Sequence, residues 1–186
     1  MSQGHLRKKQ PELVRRKLLD CAEKFAVDLG LAGITLQAVS EAAGVTKGGL
    51  LHHFQSKQIL VEGMFENILK RLDAELDHAI ARDPERWGSF TRAYLDTVFV
   101  GHEFGLKGPW AALSVSMIAE PGLRRIWADW LDARLRRHRE TDSDPVLEIV
   151  RLAADGAWLG LAMRDDGAVA ADVVDLRARL LSLTRK

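Results

Sequence analysis

With 186 residues, 47% hydrophobic and 28% charged, the chain is long enough to bury a core and too apolar to stay disordered. Its net charge of +1 gives no global sign of a nucleic-acid partner, and its single cysteine excludes an internal disulfide or a thiolate zinc cluster. The charge is uneven, however. Residues 1–57 hold nine Lys and Arg against five Asp and Glu, net +4, while residues 58–186 hold 18 against 21, net −3; a basic end suited to an anion is joined to a mildly acidic body.

Apolar residues recur at three and four almost everywhere, so the expected fold is all-α, with about nine helices. The first is expected over 11–29, with the stripe Val14, Leu18, Cys21, Ala22, Phe25 and Leu29 and a stop at Gly30. Cys21, inside that stripe, reads as buried filler rather than a redox sensor. A short helix follows over 36–42 behind Thr35, Gly44 ends it, and a second short helix starts behind Thr46 and stops near His53. Ser56 caps a long helix over 57–80. Asp83-Pro84 and Asp144-Pro145 each read as an N-cap followed by proline at the first helical position, opening helices to about 100 and 163. Between them lie helices over 110–119 and 121–139; Asp165-Asp166-Gly167 is a turn, and 169–183 closes the chain. All five tryptophans fall after residue 86. The expected division is 1–56 for an N-terminal three-helix domain and 57–186 for a C-terminal helical domain. No apolar run approaches the ~20 residues of a membrane span. Arg7, Lys8 and Lys9 precede a charged amphipathic stretch rather than an apolar signal core, so a cytoplasmic protein without membrane partners is expected.

The most informative stretch is 35–60. Two short helices joined by a tight turn at Ala43-Gly44-Val45, with a small core from Val39, Ala42, Val45 and Leu50, have the layout of a helix-turn-helix whose second helix enters the major groove. Thr46, Lys47, Gly48 and Gly49 are small or cationic. Thr46 can bond a phosphate, Lys47 can reach guanine O6/N7 or a phosphate, and the two glycines permit close backbone approach. His52 and His53 can donate to phosphate or base, Lys57 can clamp a further phosphate, and Thr35 and Leu51 are counted with them as DNA contacts. Adjacent histidines point about 100° apart on a helix, and no carboxylate-rich set accompanies them, so neither a metal nor a cofactor is expected. Arg7, Lys8 and Lys9 form either a solvated tail or an arm along the DNA, and Arg15, Arg16 and Lys17 are partly a solvated helix face, with one or two of them candidates to approach a phosphate.

This segment resembles the DNA-binding region of TetR-type repressors. That family carries a threonine opening the second helix, then A-G-V-[ST]-x-G-x-[LI]-Y-x-[HY]-F and a lysine three residues on. Thr35, Ala43, Gly44, Val45, Thr46, Gly48, Leu50, His53, Phe54, Lys57 and Leu60 occupy those places, and the likeness covers about residues 11–65. Leu51 departs from it where tyrosine is usual, and Ser40 where alanine is commoner. The resemblance implies a homodimer paired through its last two helices. It also implies a palindromic double-stranded DNA operator and a small apolar or amphipathic effector that releases the repressor.

The C-terminal part carries no nucleophile elbow, phosphate loop, zinc-protease or dinucleotide motif, so an enzyme is not expected. Its aromatic and sulfur-bearing residues are mostly core. Trp87, Phe90, Tyr94, Phe104, Trp110, Met117, Trp127 and Trp158 are nevertheless candidates to line an effector pocket, with Arg92, Asp96, His102, Ser114, Ser116 and Asp155 as polar anchors. Asp155 interrupts an apolar run; it faces solvent, pairs with Arg151 or meets a ligand. A ligand-independent DNA-binding protein and, less readily, a small helical enzyme are the alternatives.

Overall fold

The computed structural model describes residues 3–105, 109–163 and 171–186. These contain ten α-helices and one 3-10 turn, and no strand is found among them. The Asp165-Asp166-Gly167 turn lies outside the described residues, as do the side chains of Arg7, Lys8, Lys9, Ser114 and Ser116. The chain forms two compact units, one reaching to Ile68 and the other beginning at Leu69.

In the first unit, α1 spans Gln3–Leu29, eight residues longer than expected because Pro11 lies inside the helix rather than opening it. Its buried stripe is Leu18, Leu19, Ala22 and Ala26; Leu29 is exposed and Cys21 only half-buried, so the face is rotated from the expected one. Gly30, in the left-handed region at φ 72°, turns the chain into the 3-10 turn Leu31–Gly33. Helix α2 spans Leu36–Ala43, and its cap Thr35 accepts from the Ala38 amide at 3.1 Å. Gly44, at φ 68°, makes the sharp turn, its amide bonding back to Ser40 and Glu41. Helix α3 spans Lys47–His53, and the Thr46 hydroxyl accepts from the Gly49 amide at 3.0 Å. Ile34, Val39, Ala43, Leu50, Phe54 and Leu60 are buried together in this unit. Ala43 takes the core place expected of Ala42, which is exposed, because the i,i+4 spacing from Val39 stacks it on the inner face. Helix α4, Lys57–Arg82, opens behind Ser56, whose hydroxyl accepts from the Ile59 amide.

The second unit is built around α5, Ser89–Val100, most of whose side chains are buried, including Phe90, Tyr94 and Leu95. Around it come α6 Pro109–Ala119, α7 Pro121–Arg137, α8 Arg139–Asp142, α9 Pro145–Ala162 and α10 Ala171–Ser182. Helix α5 packs on α8, α9 and α10, while α6 packs on α7 and α9. Two expectations fail here. The helix expected to reach 139 stops at Arg137, and a separate short α8 follows it, so the described residues hold ten helices where about nine were expected. And Asp83-Pro84 opens no helix: the Asp83 carboxylate accepts from the Glu85 amide and pairs with Arg92 Nε at 2.7 Å. Arg92, itself buried, also donates to the carbonyls of Glu85, Trp87 and Thr184, so residues 83–88 wrap its guanidinium and α5 begins only after Gly88.

Gly88 supplies no capping side chain, so the first amides of α5 find their acceptor elsewhere. Asp142, at the end of α8, accepts from the amides of Phe90 and Thr91 at 3.4 and 2.8 Å and from the Thr91 hydroxyl at 2.6 Å. Arg151 on α9 donates to that same hydroxyl at 2.6 Å and to the Asp142 carbonyl. A carboxylate at a helix N-terminus is also favoured by the aligned peptide dipoles. One buried chain of donors thus ties α5, α8 and α9 together. Asp144 accepts from the Val146 amide, so Asp144-Pro145 does open α9 as expected.

Candidate functional site

Helix α3 presents Lys47, Gly48, Leu51 and His52 to solvent, while Gly49 and His53 are half-buried and Leu50 and Phe54 are core. The local reason is the turn before it. Gly44 reverses the chain, Thr46 then fixes the first turn of α3, and Leu50 pins the inward face. The two glycines differ. A Cβ on Gly49 would stand 3.3 Å from the Thr46 hydroxyl and crowd the cap, whereas one on Gly48 would meet only that hydroxyl, at 4.0 Å. Among the described residues nothing requires position 48 to be glycine, although glycine costs a helix up to about 1 kcal/mol relative to alanine.

Three of the expected contact groups also have intramolecular work. The hydroxyls of Thr35 and Thr46 cap α2 and α3, and Lys57 Nζ donates to the Ala32 carbonyl at 3.3 Å. His53 packs edge-on against His52, with ring centroids 5.4 Å apart. Burial, the neighbouring His52 and the Arg15 cation hold its imidazole below the usual histidine range. The sequence leaves Arg15 open between a solvated helix face and a phosphate neighbour; the fold gives it another role. Its guanidinium lies 4.4 Å over the Phe54 ring and donates to the His53 carbonyl at 3.4 Å, so it fastens the end of α3 to α1. A cation beside the last carbonyls of a helix complements the dipole. Only the distance between sequence positions 15 and 53 hid this role.

The residues expected to line an effector pocket separate into groups. Phe90, Tyr94 and Trp110 are buried, and Phe104, Met117, Trp127 and Trp158 half-buried. Phe90 stacks flat on His138 at 5.1 Å, which makes it core between α5 and the end of α7. Trp87 lies under the Lys186 ammonium, 4.5 Å from its ring centroid, at the chain's C-terminal end. Trp127 packs on Trp130 at 4.8 Å, and the Trp130 indole donates to Asp73 on α4 at 2.8 Å. Beside it Arg134, 4% exposed, bonds Asp73 and Asp77 at 2.6 and 2.5 Å and so clamps α7 to α4. Among the expected anchors, Arg92 is consumed by the 83–88 loop and Asp96 by Arg177 at 2.6 Å. His102 is exposed.

Tyr94 and Asp155 are brought together. The Tyr94 hydroxyl donates to Asp155 at 2.5 Å, bridging α5 and α9. Burial pushes the Asp155 carboxyl above its ordinary range, which the Tyr94 hydrogen bond and the Arg151 cation only partly offset. Burial and then the Asp155 charge raise Tyr94 in turn. A carboxyl whose folded-state pKa is raised costs stability once pH exceeds its unfolded value, and that cost is complete above the folded value. Asp155→Asn keeps an acceptor for Tyr94 and removes the buried charge. It is expected to raise the urea midpoint at pH 7, with the advantage over wild type shrinking as the pH falls toward the unfolded carboxyl range.

Comparison with known proteins agrees with this geometry. Residues 18–64 match the TetR family of bacterial regulatory proteins, and residues 88–185 match the tetracyclin repressor-like C-terminal domain. The HTH-type transcriptional regulator BetI of Vibrio vulnificus is 29% identical over 166 residues, covering 83% of this chain and 84% of its own. The HTH-type transcriptional repressor KstR2 of Rhodococcus jostii is 24% identical over 177 residues, covering 86% and 84%. Among solved structures, a TetR transcription regulator from Haloarcula marismortui superposes with a TM-score of 0.73 at 12% identity, over 93% of this chain and 97% of that one. The multidrug binding protein EbrR, complexed with malachite green, does so with 0.68 at 18%, over 92% and 98%. With a helix-turn-helix unit and a helical second unit that each match it, the chain belongs to the TetR family of helix-turn-helix transcriptional regulators.

Proposed function

We propose that the protein is a dimeric repressor whose α3 enters the major groove and whose second unit takes a small apolar or amphipathic effector that releases it. The observation that carries the DNA half of this reading is the outward face of α3. Lys47, Gly48, Leu51 and His52 are free of the core, on a helix fixed at both ends by Thr46 and Arg15. Lys47 is placed to read a base, Thr35, Thr46 and Lys57 to meet phosphates once the DNA competes for them, and His52 and His53 to donate at the groove edge.

Pairing is supported by α9. Ile149, Leu152, Gly156, Leu159, Gly160 and Met163 fall within about a third of its circumference, and all are exposed, Leu152 at 63% and Met163 at 75%. A Cβ on Gly156 or Gly160 would meet nothing within 4 Å, so a second helix can approach closely there. A second copy, aided by exposed Val174 on α10, is the occupant that suits a self-complementary apolar stripe. Two copies would place two reading helices on successive half-sites of a palindrome.

For release, we propose that an effector among Tyr94, Trp110, Trp127, Asp155 and Trp158 binds one arrangement of the second unit better than the other. The shift would pass to α4 through Trp130, Arg134, Asp73 and Asp77. Helix α4 is continuous from Lys57, just after α3, to Arg82. EbrR is complexed with malachite green, so that dye belongs in the test panel. The test is a gel-shift series on the DNA upstream of the protein's own coding region, with effector candidates added to the complex. Tight binding to one palindromic site by two chains, reversed by at least one apolar compound, is the expected result. No preference over random DNA at moderate salt overturns the DNA half. Specific binding that no compound reverses favours a ligand-independent regulator.

A further inference from the structure

We propose that Leu51 reads the 5-methyl group of a thymine in each operator half-site. The proposal rests on the assignment of α3 to the major groove. Leu50 and Phe54 already meet the packing needs of this helix, yet the next position carries another leucine, 37% exposed on the outward face. Leucine side chains in helices lean toward the N-terminus and cover the surface one turn back. For Leu51 that is the direction of Lys47 and Gly48, four and three positions earlier. Gly48 has no side chain to occupy it, although a Cβ there would have room. The outward face of α3 therefore carries leucine methyls beside one cation and next to bare backbone at Gly48 that permits close approach.

The apolar substituent that the major groove offers to match such a side chain is the thymine C5-methyl, set among hydrogen-bond donors and acceptors. His52, the next exposed side chain, is polar, and Lys47 is cationic, so neither competes for that methyl. The chemistry assigned to the pair is a thymine under Leu51 near the group read by Lys47.

The experiment selects the operator from random duplexes with the full-length protein, then replaces each thymine in turn by deoxyuridine, symmetrically in both half-sites. Deoxyuridine removes only the methyl group. Burial of one methyl-sized group is worth about 0.8 kcal/mol, so one thymine position should weaken wild-type binding about fourfold per half-site when it becomes uracil. Leu51→Ala should lose that sensitivity, and Leu51→Gln should lose it and select a different base at the same position. Both substitutions are on the surface, and circular dichroism checks that they fold. A wild type indifferent to uracil at every position overturns the assignment, as does an undiminished uracil penalty in Leu51→Gln. Selection that yields no sequence at all overturns the groove assignment of α3 together with it, which separates the two failures.

Discussion

Replacing Asp142 with alanine is expected to destabilise the second unit by about 3–5 kcal/mol, the cost of removing one member of a buried charged network. The Asp142 side chain is 2% exposed and is the acceptor for two amides at the start of α5 and for the hydroxyls of Thr91 and Thr141. Alanine leaves those amides buried without a partner, at about 1–3 kcal/mol each. It also leaves Arg151, buried and donating to Thr91, without the nearby anion that favours its charge. Asp142→Asn keeps one acceptor oxygen and is expected to fall between the two. Since domains are stable by only about 5–15 kcal/mol, the alanine variant should unfold at much lower urea. Tryptophan fluorescence reads this unit selectively, since all five tryptophans lie beyond residue 86. A midpoint shift worth less than about 1 kcal/mol would show that the first turn of α5 finds its acceptors elsewhere.

Lys47→Ala should act on DNA and leave folding alone. The side chain is exposed at the first position of α3, and surface changes of this kind usually stay within about 0.5 kcal/mol of wild-type stability. If Lys47 reads guanine O6/N7, each half-site loses about 1–3 kcal/mol of discrimination, so a dimer on a palindrome loses about twice that. Titrations at several salt concentrations separate this role from a phosphate contact. A base reader loses affinity for the operator and much less for random DNA. A phosphate contact loses both equally, and the salt slope falls by about one counterion per half-site. Equal operator affinity in the variant removes Lys47 from the interface.

How much was legible in the sequence depended on how local the cause was. Thr35, Gly44 and Thr46 were readable because caps and left-handed turns are decided within three or four residues, and the structure has each in that role. Asp144-Pro145 was readable for the same reason. Asp83-Pro84 carries the same local signal and fails, because Arg92, nine positions on, captures the Asp83 carboxylate and folds the intervening loop around itself. The cap of α5 was hidden because Asp142 supplies it from 51 positions away. The packing role of Arg15 was likewise hidden behind its two sequence readings, solvated face or phosphate neighbour, since only the fold brings it to Phe54. In the second unit, aromatic content marked where side chains would bury but not which would share a wall. Tyr94 and Asp155 meet, whereas Phe90 and Trp87 are engaged with His138 and Lys186.

The vacant space above Gly48 sets two selection pressures against each other. An alanine would fit there and would strengthen a short helix, so a screen that ranks variants by heat resistance should enrich it. With α3 in the major groove as proposed, the same methyl would stand between the peptide backbone and the DNA. Thermal ranking and operator occupancy should therefore diverge at this position, and a library selected for robustness alone would drift toward proteins that fold better and regulate worse.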